Sequence, residues 1–253
     1  MTRTGTSSVR VREPELVGQT LVVIGGSSGM GLETARRARA EGAQIILAGR
    51  NPDRLRSVAV ELGAKDSAAF DAYDSAALEG FFQRLPTPID HVMVTGGGPY
   101  YARLSEMDLA KALANVHDHV QLTMQVARES IHRVRPGGSL LFISGTGARR
   151  PAAGLSIAAM LTAATPALVA NLALELAPIR VNLIAPGFVD TPLSAALLGD
   201  NLEKRREQLR QTLPIGRVVG PADVAALAVH LMTNSAVTGA TYDIDGGQQL
   251  LSA

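Results

Sequence analysis

The run GGSSGMG, Gly25 to Gly31, directly follows the apolar stretch TLVVIG and opens a stretch with helical spacing. Gly25 and Gly29 permit backbone conformations that a side chain forbids, and Gly31 lets a helix lie close against a strand. The peptide groups of Ser27, Ser28 and Met30 then stand at the positive end of a helix dipole, a place suited to the two phosphates of a dinucleotide. A glycine turn alone says little; a strand before it, a helix after it and a selecting residue at the end of the next strand say more. That selecting position falls in LAGRN, where Gly49 and Arg50 stand instead of an acid. An acid there holds the ribose hydroxyls of NAD, whereas an arginine makes charge-assisted bonds to the 2′-phosphate of NADP, so NADP(H) is favoured over NAD(H).

Groups able to move a proton are few. Tyr100 and Tyr101 follow a TGGGP turn, Ser144 and Thr146 flank Gly145 at the end of SLLFIS, and His117 and His119 lie in NVHDHVQ. Residues two apart on a helix point about 200° apart, so the two histidines cannot share a metal ion, and no metal site is expected. One of them is placed to line a pocket. Between Lys111 and Lys204 the chain has neither a tyrosine nor a lysine.

The elements that must position these residues alternate along the chain. Thr20 to Gly25, Gln44 to Gly49, Ile89 to Thr95, Ser139 to Ser144 and Arg180 to Ala185 are continuously apolar and read as strands buried on both faces. Ala68 to Phe70 and Thr241 to Ile244 complete the set. Leu32 to Glu41, Pro52 to Leu62, Leu104 to Arg133 and Pro221 to Met232 carry apolar residues at helical spacing. The expected fold is a single-domain, doubly wound parallel α/β sheet, Rossmann-like, with helices on both faces. Residues 1–15 read as a tail, 16–253 as the domain, and the charged segment 193–214 as a lid near the strand ends.

Bulk properties narrow the partners. Lysine and arginine number 24 against 23 acids, a net charge of +1, which supplies no field to attract nucleic acid or an anionic membrane. There is no cysteine, and no uninterrupted apolar stretch approaches the roughly 18 residues of a membrane span. A cytoplasmic protein with a small-molecule substrate or ligand is expected.

On these motifs the chain resembles the short-chain dehydrogenase/reductase family, whose glycine turn has three residues between its first two glycines. The likeness covers almost the whole chain. FDAYD resembles the segment after the family's third strand, which implies that Asp71 and the Ala72 backbone face an adenine. VTGGG stands where the family has Asn-Asn-Ala-Gly, with Gly96 and Gly97 keeping a close backbone approach. APGFVDTP is similar to the family's Pro-Gly-x-x-x-Thr segment, so Pro186, Gly187, the Val189 backbone and Thr191 are expected around a nicotinamide carboxamide. GRVVGPADVAALAVHLM and TGATYDIDGG resemble its last helix and strand.

In that family a tyrosine protonates the carbonyl oxygen and a lysine four residues later lowers its pKa and holds the ribose. A serine orients the substrate, and an asparagine supports the lysine through water. Asn115 stands at the asparagine position; Ser144 and Thr146 are the serine candidates, with Gly145 in the best register. The tyrosine position falls at Ala158 or Ile157 and the lysine at Thr162. Pro166 is expected to interrupt this helix, with Thr165 capping a fresh start.

A positioned general acid contributes about 10²–10⁴-fold, or roughly 3–5 kcal/mol, while orientation of the reactants contributes more. The sequence therefore points to an NADP(H)-dependent oxidoreductase of atypical mechanism. Its substrate would be a small, moderately apolar carbonyl, enone or quinone, whose hydride adduct is stable enough to be protonated by water. Tyr100, Tyr101 and His117 are the replacement donors to consider. The alternative is a catalytically silent NADP(H)- or ligand-binding protein acting as a sensor or assembly partner. A third is non-redox chemistry such as dehydration or cyclisation. The resemblance also implies a homodimer or homotetramer joined through the helices near Leu104 to Arg133 and Leu155 to Ala177.

Overall fold

The apolar runs assemble in the expected order. In the computed structural model, which describes residues 13–251, seven strands form one parallel sheet. They are β1 (Thr20–Ile24), β2 (Gln44–Gly49), β3 (Asp66–Ala69), β4 (Ile89–Val94), β5 (Val134–Ile143), β6 (Arg180–Pro186) and β7 (Thr241–Ile244). Across the sheet they run β3-β2-β1-β4-β5-β6-β7. The chain reverses its direction of winding between β1 and β4, and in folds of this kind the ligand crevice lies beyond the carboxyl ends of those two strands. The segment Met1 to Arg12 of the expected tail lies outside the described residues.

Among the described residues, eight α-helices connect and flank the strands: α1 (Gly29–Ala40), α2 (Pro52–Leu62), α3 (Ser75–Arg84), α4 (Leu109–Ser130), α5 (Ser156–Glu175), α6 (Pro192–Leu198), α7 (Leu202–Thr212) and α8 (Pro221–Thr233). β1 shows why the strands lack alternation. Val22 and Ile24 point into a core shared with Phe82, Val126 and Val169, while Leu21 and Val23 enter a second core with Ala35, Leu55 and Val224. Both faces are covered, so every position is apolar.

Local chemistry sets most boundaries. Asp74 accepts from the Ala76 and Ala77 N–H groups to start α3, and Asn51 accepts from Arg54 N to start α2. The single helix expected over Leu104 to Arg133 is divided: Leu104–Glu106 form a short turn, and Asp108 caps α4 by accepting from Lys111 N. Pro166 does not interrupt α5, which is continuous from Ser156 to Glu175. Thr165 does not cap a new start; its hydroxyl donates to Leu161 O at 2.7 Å. Proline costs the helix one N–H, but burial of Leu161, Val169 and Leu172 holds both halves in line.

Averaged over its length, α5 is apolar enough to cross a membrane, contrary to the reading from uninterrupted runs. Its place between β5 and β6 of one parallel sheet, with Val169 fully buried, makes it a core helix instead.

Below the sheet, at the opposite end from the crevice, His91 is 1% exposed. Its Nε2 donates to Gln19 Oε1 at 2.7 Å, and its Nδ1 accepts from Ser139 Oγ at 2.8 Å, which fixes a neutral ring. Burial is the main cause that pushes its pKa down to about 3. The unfolded chain takes up this proton near pH 6.5, whereas the folded protein refuses it until about 3. Stability is thus fully present above pH 6.5 and is lost as pH falls through that window, with a limiting slope of about 1.4 kcal/mol per pH unit. Melting curves between pH 7.5 and 5 should show this loss, and His91→Gln should flatten it; equal slopes for the two proteins would remove His91 as the cause.

Candidate functional site

The crevice is lined by the glycine turn, the ends of β2 and β4, and the loops after β5 and β6. Gly25 and Gly29 have positive φ, 89° and 56°. At Gly31 the space is closed from below: a Cβ would press on the Gly25 carbonyl oxygen and lie 2.6 Å from Thr95 Oγ1. Thr95 is thus a tie that sequence reasoning missed. Its hydroxyl is 3.2 Å from Ile24 O and 3.1 Å from Gly25 O, locking the end of β4 to the turn.

Ser28 occupies the N-cap of α1 in extended backbone and makes no side-chain cap bond. The first N–H groups of α1 keep their donor capacity for an anion, and no acidic side chain lies in that turn. Ser27 lies beside the end of β2, where a Cβ on Gly49 would be 3.1 Å from its hydroxyl, and Met30 packs into the lower core. The residues present therefore fit a dinucleotide pyrophosphate. The test is steric: side chains at positions 25 and 31 would strike Thr95 and the Gly25 carbonyl and force the turn apart.

Arg50 follows β2 as an exposed side chain with no ion pair among the described residues. Asp71 and Ala72 sit at the end of the neighbouring strand, with Asp71 accepting from Tyr73 N at 3.1 Å. Gly96 and Gly97 follow β4, Gly97 with φ 102°.

Across the crevice, Pro186 ends β6 and Gly187 packs so closely on the last segment that a Cβ would be 2.6 Å from Gln248 Oε1. Gln248 also accepts from Phe188 N at 3.0 Å, a second anchor that no local pattern announced. Thr191 caps α6, accepting from Ser194 N, while Ser194 Oγ donates to the Val189 carbonyl at 2.5 Å. Thr191 Cγ2 lies 3.5 Å from the Cβ position of Gly29, so the two expected halves of the nucleotide site meet. The charged segment forms α6 and α7, held down by paired Arg206 to Asp190 bonds of 2.9 and 2.8 Å.

The proton-handling candidates fare unevenly. Tyr100 is not free to act on a substrate: Asp108 N donates to its hydroxyl at 3.1 Å, which in turn donates to Asp108 O at 3.3 Å. It anchors the start of α4. Tyr101 is 51% exposed, and burial of part of its ring raises the phenol pKa. His117 is exposed, and it is His119 that turns toward the crevice, because residues two apart occupy different helical faces. Ser144 follows β5 with its N–H on Ile184 O, and Thr146 is buried with its N–H on Pro186 O. Asn115 does not reach toward α5; its Nδ2 donates to Gly98 O at 3.1 Å.

Thr162, at the position expected for a lysine, has a task of its own. Its hydroxyl accepts from Ala148 N at 2.8 Å and donates to Ala159 O at 3.0 Å. Gly145 and Gly147 lie so close that a Cβ on either would be 3.4 Å from Thr162. The loop after β5 has folded onto α5, and Ala158, which with Ile157 was expected at the tyrosine position, is only 8% exposed. Arg149 pins the other side of this loop through Asp243 and through Gln249 Oε1 at 2.9 Å. Lys111, the nearest preceding lysine in the chain, pairs with Asp108 on the far end of α4.

The parallel sheet with strand order reversing at β1 and β4, and a glycine cradle at that switch point, defines a dinucleotide-binding α/β protein. Residues 24–249 match the family profile described as enoyl-(acyl carrier protein) reductase. The short-chain dehydrogenase/reductase ATR9 of Stachybotrys chlorohalonatus is 32% identical, with 92% of this chain and 98% of that one covered. The structure of MalC, a reductase/Diels-Alderase from Malbranchea aurantiaca, superposes with a TM-score of 0.87 at 25% identity, covering 94% and 99% of the two chains. A small-chain dehydrogenase in complex with NADPH matches at 0.79 and 26% identity, over 92% and 99%. The chain belongs to the short-chain dehydrogenase/reductase family of oxidoreductases.

Proposed function

We propose that the protein is an NADP(H)-dependent oxidoreductase of atypical mechanism that acts on a small, moderately apolar carbonyl, enone or quinone. The observation that carries this reading is the approach of Thr191 to the glycine turn, its Cγ2 3.5 Å from where a Cβ on Gly29 would stand, beside Ala158 or Ile157 and Thr162 at the positions expected for the usual acid and its lysine. The turn from Gly25 to Gly31 would hold the pyrophosphate, Arg50 the 2′-phosphate, Asp71 and Ala72 the adenine, and Thr191 with the Val189 backbone the carboxamide. The nicotinamide, when bound, supplies or accepts a hydride. Backbone and apolar walls orient the substrate, and Tyr100, fastened to Asp108, does not deliver a proton. Protonation from water suits acceptors whose reduced form is a stabilised anion, which is why quinones and enones are favoured over plain ketones.

Consumption of NADPH on matched quinones, enones and ketones tests this. Turnover on the first two and little on ketones is expected; efficient reduction of plain ketones would refute the acid-free reading. MalC is named both a reductase and a Diels-Alderase, and a cyclising substrate is the second reading, since shape without a proton donor suffices for it. Homo-oligomers in the cytoplasm complete the proposal. Leu113, Val120 and Met124 on α4 and Met160 and Leu174 on α5 expose apolar surface where a second copy would pack.

Arg50→Ala should weaken NADPH binding by roughly 10–100-fold, the worth of charge-assisted bonds to one phosphate, and leave NADH binding unchanged. Equal losses for both nucleotides would show that Arg50 does not select.

A further inference from the structure

Three polar side chains stand against the glycine turn after β4, Tyr73 and His119 at Gly97 and Asn115 at Gly98. The Tyr73 hydroxyl is buried and has no protein partner, and the same holds for Asn115 Oδ1. His119 lies one helical turn beyond Asn115, its Nδ1 2.8 Å from the Asn115 carbonyl oxygen. A carbonyl only accepts, so Nδ1 is the donor, and the tautomer with its proton there leaves Nε2 as an acceptor. The Tyr73 and His119 rings are 6.2 Å apart, and both look at Gly97. A Cβ on Gly97 would lie 2.5 Å from Tyr73 Oη and 3.0 Å from His119 Nε2. The carboxamide of Asn115 is held at the next residue by its bond to Gly98 O.

One donor and two acceptors are therefore gathered behind residues 97 and 98. Buried polar groups in folded proteins find a partner in protein or in ordered water, and an internal water makes about three bonds. We propose that Tyr73, Asn115 and His119 together hold an internal water behind Gly97, and so fix the 96–98 turn in the shape a dinucleotide requires. Tyr73 donates a hydrogen bond to this water, and Asn115 Oδ1 and His119 Nε2 accept from it. Burial first, then the nearby Asp118, pushes the Tyr73 phenol up to about 12, so it stays a donor at any working pH.

The turn needs such a support. Cβ atoms on Gly96 and Gly98 would meet nothing within 4 Å, Asn115 Nδ2 holds this stretch at Gly98 O, and glycine has the most backbone freedom to lose. With no lysine on α5 to serve, Asn115 and His119 act as positioning residues for the turn.

Tyr73→Phe keeps the ring and removes only the hydroxyl. Studied without nucleotide, it should melt about 2–4 °C below the wild type and exchange the amides of residues 96–98 faster. The loss should also be non-additive with that of His119→Gln, because both changes break one network. A melting temperature equal to or above the wild type, with unchanged exchange at 96–98, is what removing an orphan hydroxyl from a dry hollow would give, and it would overturn the proposal. A roughly fivefold rise in the NADPH Kd is expected as well. That last readout rests on the NADP(H) reading; melting and exchange do not, so a wild type that binds no nucleotide would leave the test of the support intact.

Discussion

Gly31→Ala should lower NADPH affinity by at least about 100-fold, some 2.7 kcal/mol, while the far-ultraviolet circular dichroism stays that of the wild type. The added methyl has nowhere to go. It would press on the Gly25 carbonyl and the Thr95 hydroxyl, at the point where α1 crosses β1 and β4, so α1 must back away from the turn it polarises. Overpacking of this kind costs about 1–3 kcal/mol, and the melting temperature should fall by several degrees with the affinity. Calorimetric titration beside a melting curve checks both; an affinity within threefold of the wild type would mean that the turn is not where the nucleotide binds.

The second large effect is a failure to gain. In a chain that had merely lost two side chains, the double substitution Ala158→Tyr with Thr162→Lys should restore ketone reduction by 10²-fold or more, the worth of a general acid. Here it is expected to restore nothing and to destabilise the protein by roughly 1–3 kcal/mol. Lysine at 162 removes the hydroxyl that accepts from Ala148 N and donates to Ala159 O, and it drives an ammonium group against Gly145 and Gly147. Tyrosine at 158 must enter a site that is already filled. Rates on a ketone panel and a melting curve decide the matter: a stable variant that reduces ketones would show the old site to be open.

The two halves of the site were not equally legible in the sequence. Gly25, Gly29 and Gly31 announce themselves because backbone geometry demands glycine at fixed distances from strands that are apolar on both faces, and Thr191 through the likeness of APGFVDTP to the family's segment. The division of Leu104 to Arg133 was missed because Asp108 looks like a surface acid until its bond to Lys111 N marks it as a cap. Pro166 misled because a local rule, proline against helix, gave way to burial of α5. His117 was chosen where His119 faces inward, since spacing separates two faces without saying which one meets the crevice. Tyr73, Thr95 and Gln248 gave no signal at all. Their partners are Gly97, Gly25 and Phe188, brought near only by the sheet.

Isothermal titration of the purified protein with NADPH, NADP+ and NADH bears on the claim that the nucleotide cradle outlived the Tyr/Lys pair. Saturable NADPH binding, at least tenfold tighter than NADH, is the predicted result. No heat of binding with any of the three nucleotides, from a protein that melts cooperatively, would mean that the glycine turn now serves only the fold.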